Sequence, residues 1–208
     1  MTLLYGTGNP AKLGSMRQML AATGIELIGL NDMPQPVPDV NESGTSPLEN
    51  ARIKALAYFK HYGVPVFSCD SGLYFDEVPD DIQPGVNVRR VDGKYLNDDE
   101  MIEYYSSLAA KYGRLTARYK NAVCLVLSDD RTVESMDESL WGEPFYIVEK
   151  PHRKRVEGFP LDSISVEIKS GMYYYDLPPN SEHCLVSERN GFADFFANVL
   201  NNYKEILI

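Results

Sequence analysis

The chain has 208 residues, 44% of them hydrophobic and 24% charged, with a formal net charge of −10. This is the make-up of a globular protein with enough length for a substantial core, so one domain, with or without a second lobe, is expected. The negative balance disfavours nonspecific attraction to nucleic acid or to an anionic membrane surface, and any phosphate-bearing ligand would have to meet a local positive patch or a metal ion.

Thr2 to Tyr5 is short, apolar and followed by glycine, which predicts a buried strand. It runs through Gly6-Thr7-Gly8-Asn9-Pro10 into a helix with Leu13, Met16 and Leu20 at helical spacing, ending before Gly24. A loop at that junction presents backbone N–H groups and the positive end of a helix dipole to an anion. Lys12, three residues after Asn9, shares the loop, although a simple tight turn has the same signature. Met33 to Asn41 carries three prolines and reads as a connection.

The second helix opens on Ser46-Pro47-Leu48-Glu49, which has the spacing of a capping box with proline at the first helical position. Leu48, Ala51, Ala55 and Phe59 form its apolar stripe and Gly63 its stop. Asn50 and Lys54, four apart, share another face, where the lysine either serves a site or is simply solvated. Val64 to Cys69 is a second apolar strand, with Asp70-Ser71-Gly72 read as the turn at its carboxyl end, where ligands of open α/β sheets gather.

Asp80 to Asn87 reads as a loop, Asp98 to Tyr112 as a helix with an acidic start closed by Gly113, and Leu115 to Leu127 as a long strand entering a hairpin at Ser128 to Arg131. Strands are expected at Thr132 to Leu140 and Phe145 to Val148, and a last helix from about Asn190 to Leu207. Helices alternating with strands early and strand-rich sequence late predict a mixed α/β sheet.

Cys69, Cys124 and Cys184 are far apart and form no Cys-x-x-Cys pair, which points away from zinc or a disulfide framework and towards a reducing cytoplasm. No stretch approaches the ~20 apolar residues that span a bilayer, and no secretion signal is expected. Glu42 and Asp70 are candidate ligands for a hard cation such as magnesium, which prefers carboxylate oxygens and completes its shell with phosphates. Glu49 is divided between the helix cap and the site. His152-Arg153-Lys154-Arg155, a dense basic run, is either a phosphate clamp or a solvated loop, and Ser187 either part of a site or an N-cap.

Taken together these blocks resemble the inosine triphosphate pyrophosphatase family, which hydrolyses non-canonical purine nucleoside triphosphates to monophosphate and pyrophosphate. Thr7-Gly8-Asn9-Pro10-Ala11-Lys12 is similar to the family's Thr-Gly-Asn-x-x-Lys loop. Glu42 to Ser46 with Glu49-Asn50-Ala51 and Lys54-Ala55 resembles the second block, and Asp70-Ser71-Gly72-Leu73 with Pro84-Gly85-Val86 and Arg90 the third. Gly158-Phe159-Pro160-Leu161-Asp162 and Ser187-Glu188-Arg189 are partial matches to Gly-Phe-Gly-Tyr-Asp and Ser-His-Arg.

The resemblance implies a single domain over residues 1–208 with an elongated mixed sheet, flanking helices and two lobes around a central nucleotide cleft. It further implies a homodimer that needs Mg2+. Asn9, Lys12 and Lys54 would hold phosphates, Glu42 and Asp70 the metal, and Asp70 would also orient or deprotonate the attacking water, making Asp70, Lys12 and Lys54 the catalytic set. Thr7, Ser71, Arg90, Phe159, Asp162, His183, Glu188 and Arg189 would complete the substrate contacts.

The chain departs from the family pattern at Cys69, where a first aspartate is expected, at Glu188 in place of histidine, at His183 in place of lysine, and at Pro160-Leu161 in place of Gly-Tyr. A neutral thiol is a poor magnesium ligand. The departures leave two alternatives beside the family activity: a nucleotide-binding protein impaired in catalysis, or a pyrophosphatase with altered base preference, modified pyrimidines included.

Overall fold

The computed structural model describes residues 1–178 and 186–204. In chain order the elements are β1 (Thr2–Tyr5), α1 (Pro10–Met19), β2 (Glu26–Gly29), α2 (Pro47–Tyr62), β3 (Val66–Phe75), β4 (Arg90–Val91), β5 (Lys94–Tyr95), α3 (Asp98–Tyr112), β6 (Leu115–Ser128), β7 (Arg131–Ser135), β8 (Phe145–Ile147), β9 (Ser165–Glu167) and α4 (Val186–Lys204), with short 3-10 turns between them. The hydrogen-bonded strand order is β2-β1-β3-β6-β8-β9, with β7 also on β6. β1 is parallel to β2 and β3, whereas β6 is antiparallel to β7 and β8, so the sheet is mixed as the element pattern predicts. No helix among the described residues is long and apolar enough to cross a membrane.

The chain forms two compact units: Met1–Ser71 with Lys120–Trp141 and Val186–Ile208, and Gly72–Tyr119 with Gly142–Leu185. In the first, strand alternation sorts side chains to two faces. Leu3, Tyr5, Phe67, Val123 and Leu125 pack with Met16 and Leu20 of the α1 segment and Phe192, Phe196 and Val199 of α4. Leu4, Val66, Ala122, Cys124 and Val126 pack with Ala51, Ala55, Tyr58 and Tyr62 of α2. Because both faces of these strands are covered, residues 122–127 of β6 read as a continuous apolar run rather than an alternating one. Tyr5 stacks on its parallel neighbour Phe67 with centroids 4.6 Å apart, and Phe196 meets Phe67 edge-on at 4.8 Å.

In the second unit α3 buries Met101, Ile102, Tyr105, Leu108 and Ala109 against Phe75, Leu115, Ala117, Phe145 and Ile147. Its N-terminus carries the capping box: Asn97 Oδ1 accepts from the Glu100 N–H and Glu100 Oε2 from the Asn97 N–H, each at 2.9 Å. Ser46 caps α2 by accepting from the Glu49 N–H at 3.3 Å, while the Glu49 carboxylate expected to answer it is held chiefly by Thr45. The Glu49 carboxylate takes the Thr45 N–H at 2.6 Å and the Thr45 hydroxyl at 2.9 Å, the nearer donors on the incoming loop.

Other expectations are corrected. Asp70-Ser71-Gly72 is no turn, for β3 continues unbroken to Phe75, held beyond Gly72 by two 2.9 Å bonds between Leu73 and Gly85. β7 stops at Ser135, where the Ser135 hydroxyl donates to Asp137 Oδ2 at 2.7 Å and accepts from the Asp137 N–H at 3.1 Å, and Glu138–Leu140 is a 3-10 turn. Ser187 falls inside α4 rather than at its cap. The short β2 and β9 went unread, being too brief to show a period.

Gly191 lets α4 lie against that 3-10 turn: a Cβ there would stand 1.9 Å from the Ser139 carbonyl oxygen. Gly191→Ala is therefore expected to cost about 1–3 kcal/mol, a fall in melting temperature of roughly 2–12 °C for a chain of this size. Gly14→Ala in α1, with nothing within 4 Å of the added carbon, should leave thermal unfolding unchanged or raise it.

Candidate active site

The loop after β1 is built by three restraints. Gly6 N–H donates to the Phe67 carbonyl at 2.7 Å, fastening the loop to β3, and a side chain at Gly6 would run into Ser68 Oγ and the Tyr58 ring. Thr7 Oγ1 accepts from the Asn9 N–H at 3.2 Å. Asn9 then caps α1, its Oδ1 accepting from the N–H groups of Ala11 at 2.9 Å and Lys12 at 3.3 Å. Two first-turn amides that the sequence reading offered to a phosphate are thus taken by Asn9 itself, and the Lys12 side chain stands exposed at the same helix end.

The acidic half is tighter. Lys54 Nζ lies 2.8 Å from Glu42 Oε2 and 3.0 Å from Asp70 Oδ1, with only 12% of its side chain exposed. Burial alone would lower the Lys54 ammonium, but the charges and hydrogen bonds of Asp70 and Glu42 outweigh it and hold the group above the ordinary lysine range. Glu42 sits on an irregular loop, and Asn50 ties that loop to α2 by accepting from the Gly44 N–H at 2.8 Å while itself almost fully buried. On β3, Ser71 Oγ donates to Asn121 Oδ1 at 2.7 Å, and Asn121 Nδ2 donates to the Leu140 carbonyl at 2.7 Å.

Alternation along β3 sends the neighbours of Asp70 to the other face. Cys69 packs with the α1 and α4 side and shares a hydrogen bond with the buried Tyr5 hydroxyl. Burial pushes the Cys69 thiol up to about 12, against the opposing pull of the Tyr5 bond and of Lys54 and Lys12. Burial likewise raises the Tyr5 hydroxyl, helped by Cys69 and Asp70. The thiol is therefore neutral and sits apart from the Glu42, Lys54 and Asp70 group.

Arg90, exposed on β4, lines a cavity of about 420 Å³ in the second unit together with Asp81, Asn87, Asp92 and Tyr104. Phe159 is 61% exposed, whereas Pro160 and Leu161 are buried, Leu161 in the core of the same unit. Burial raises the half-buried Asp162 carboxyl. Glu188 and Arg189 fall in the first turn of α4, where only the backbone is described, and His183 lies outside the described residues.

Sequence reasoning passed over Asn50 as a positioning group, and Tyr5 and Asn121 altogether. Asn50 had a signal in its i, i+4 spacing to Lys54, whereas the Tyr5 and Asn121 contacts join distant segments and leave no local trace. As for a cation, no group of three or more His, Cys, Asp or Glu side chains among the described residues is placed to hold one. Glu42 and Asp70 nevertheless bring one oxygen each to within 3.0 Å of a single point, the Lys54 nitrogen. That donor set fits a hard divalent ion that draws its remaining oxygens from water and phosphate.

The fold and site define a mixed α/β protein in which a capped glycine loop, two lysines and two carboxylates gather in one unit. The Ham1 family model matches residues 3–189, and the chain belongs to that family. The motif resemblance to the inosine triphosphate pyrophosphatases is thereby borne out. A dITP/XTP pyrophosphatase of Methylococcus capsulatus is 28% identical over 200 residues, covering 95% of each chain. One of Rhodopseudomonas palustris is 35% identical over 137 residues, 64% of this chain and 63% of that one. The HAM1 protein of Coxiella burnetii shares the fold, with a TM-score of 0.75 at 24% identity over 97% of this chain and 99% of that one.

The raised thiols make a chemical prediction. Cys69, and Cys124 with its thiol also pushed up to about 12 chiefly by burial, should resist iodoacetamide at pH 8 in the folded protein. Both should label fully once the chain is denatured. Peptide mass mapping reads the outcome, and rapid native labelling of Cys69 would contradict the buried, Tyr5-bonded thiol.

Proposed function

We propose that the chain is a metal-dependent nucleoside triphosphate pyrophosphatase that clears non-canonical purine nucleotides, releasing monophosphate and pyrophosphate. The reading rests above all on Lys54, a mostly buried cation that two carboxylates from separate segments approach to 2.8 and 3.0 Å. The full-length similarity to a protein named dITP/XTP pyrophosphatase supports the substrate class.

In this reading Lys12 and Lys54 pair with phosphate oxygens, and Asn9 and Thr7 fix the loop that carries Lys12. Glu42 and Asp70 would hold magnesium, which when bound supplies neutralisation of the triphosphate charge. Asp70 also orients or deprotonates the water that attacks the α-phosphorus. The bond from the α-phosphorus to the bridging oxygen breaks in line, and pyrophosphate leaves with its new charge met by the lysines. Ser71 and Arg90 are assigned to the substrate as well, and Phe159, Asp162, His183, Glu188 and Arg189 to the base end. The altered residues there favour a changed base preference. A homodimer in a reducing cytoplasm, working as one domain, completes the proposal on the strength of the motif resemblance and the free thiols of Cys69 and Cys124.

Pyrophosphate release from inosine and xanthosine triphosphates should require magnesium and stop on chelation. Asp70→Asn is expected to lower kcat by about a thousandfold or more with the circular dichroism spectrum unchanged. Near-normal turnover in that variant would remove Asp70 from its role. If nucleotide raised the melting temperature of the wild type without any pyrophosphate appearing, the protein would be a binder rather than an enzyme.

A further inference from the structure

Of the basic run at residues 152–155, Arg153, Lys154 and Arg155 are exposed and His152 is half-buried. His152 anchors it: Nε2 lies 3.3 Å from Asp176 Oδ1, the ring sits 5.3 Å from Tyr173 and 5.7 Å from Tyr175, and Nδ1 accepts from the Lys154 N–H at 3.0 Å. Because Nδ1 accepts, the ring proton of the neutral imidazole is on Nε2, facing the aspartate. Arg155 donates to the carbonyls of His152 and Lys154, folding the run back on itself.

The result is a seated cation. Lys154 Nζ stands 4.8 Å from the centre of the Tyr175 ring, and the Tyr175 hydroxyl donates to the Phe159 carbonyl at 3.4 Å. Tyr175 thus joins the lysine to the backbone of Phe159, whose ring is 61% exposed in a chain of net charge −10. A cation tied through one tyrosine to the backbone of an exposed aromatic residue suits a stacking partner that is electron-rich, since a cation and a π-face attract and an ammonium has donors only.

We infer that Lys154, seated on Tyr175, is a specificity-determining residue that favours a xanthine base over hypoxanthine. Xanthine carries a second keto oxygen and gives up a ring proton more readily, so it offers both an additional acceptor and partial negative charge. An amino-bearing edge, as in adenine, meets the ammonium donor to donor. The inference rests on the proposed function, in which Phe159 belongs to the base end.

Pyrophosphate release should be measured for xanthosine, inosine and adenosine triphosphates with the wild type and with Lys154→Met, Lys154→Arg, Tyr175→Phe and Tyr175→Leu. The wild type should favour xanthosine over inosine triphosphate in kcat/KM. Lys154→Met should cut that ratio by roughly ten- to a hundredfold, the range for losing a charge-assisted hydrogen bond. Tyr175→Leu, which removes the seat, should do the same, while Lys154→Arg and Tyr175→Phe keep most of the preference. A merely structural role would lower the melting temperature or the activity on all substrates and leave the ratio in place, which would overturn the inference. So would a wild type that prefers inosine triphosphate. Absence of pyrophosphate from every triphosphate would instead defeat the proposed function itself.

Discussion

Lys54 is held in a charge state that its surroundings would otherwise oppose. With 12% of the side chain exposed, the ammonium has lost most of its water, and the carboxylates of Glu42 and Asp70 supply the missing stabilisation from two directions. Each partner depends on a different part of the fold. Asp70 is fixed by β3, Lys54 by α2, and Glu42 by a loop that Asn50 ties down through Gly44. Deleting Lys54 would leave two carboxylates facing each other, and deleting Asp70 would leave a mostly buried cation with Glu42 as its remaining partner. The same balance makes the group responsive to phosphate, since an anion competes with the carboxylates for the lysine while a divalent cation competes with the lysine for the carboxylates.

That arrangement follows from covering both faces of β1, β3 and β6. Apolar side chains fill the two faces, and the polar chemistry is left to Asp70 midway along β3, to Lys54 on α2 and to the loops around them. β3 shows the rule within two residues. Cys69 turns to one face and bonds the Tyr5 hydroxyl, whereas Asp70 turns to the other and meets Lys54. A carboxylate in place of Cys69 would share the Tyr5 side of the strand, so the thiol removes a charge without disturbing the lysine pair.

Much of this was legible in the residues. β1, α3 and the hairpin from β6 to β7 stood where alternation, capping residues and glycine stops put them, because these signals act over a few residues. The family followed from the joint spacing of Asn9, Lys12, Glu42, Lys54 and Asp70, although each has a plain structural use alone. What was not legible is long-range. Ser71 and Asn121 meet across 50 positions, and the strand through Asp70-Ser71-Gly72 is held by Gly85, which no local pattern around Gly72 announces. The spacing of Ser46 and Glu49 is that of a capping box, yet Thr45 offers that carboxylate two closer donors.

Gly191 and its contact with Ser139 have a bearing on how the molecule is made. The unit that carries the lysine and carboxylates is assembled from three separate stretches, the last of which holds α4. Phe192, Phe196 and Val199 close the face on which Tyr5 and Phe67 stack. During synthesis from the N-terminus, every residue of the other unit, up to Leu185, leaves the ribosome before α4 does. Until then α1 covers only its own share of that face, and the nascent chain must be kept from sticking to its neighbours through the part that the last helix will cover.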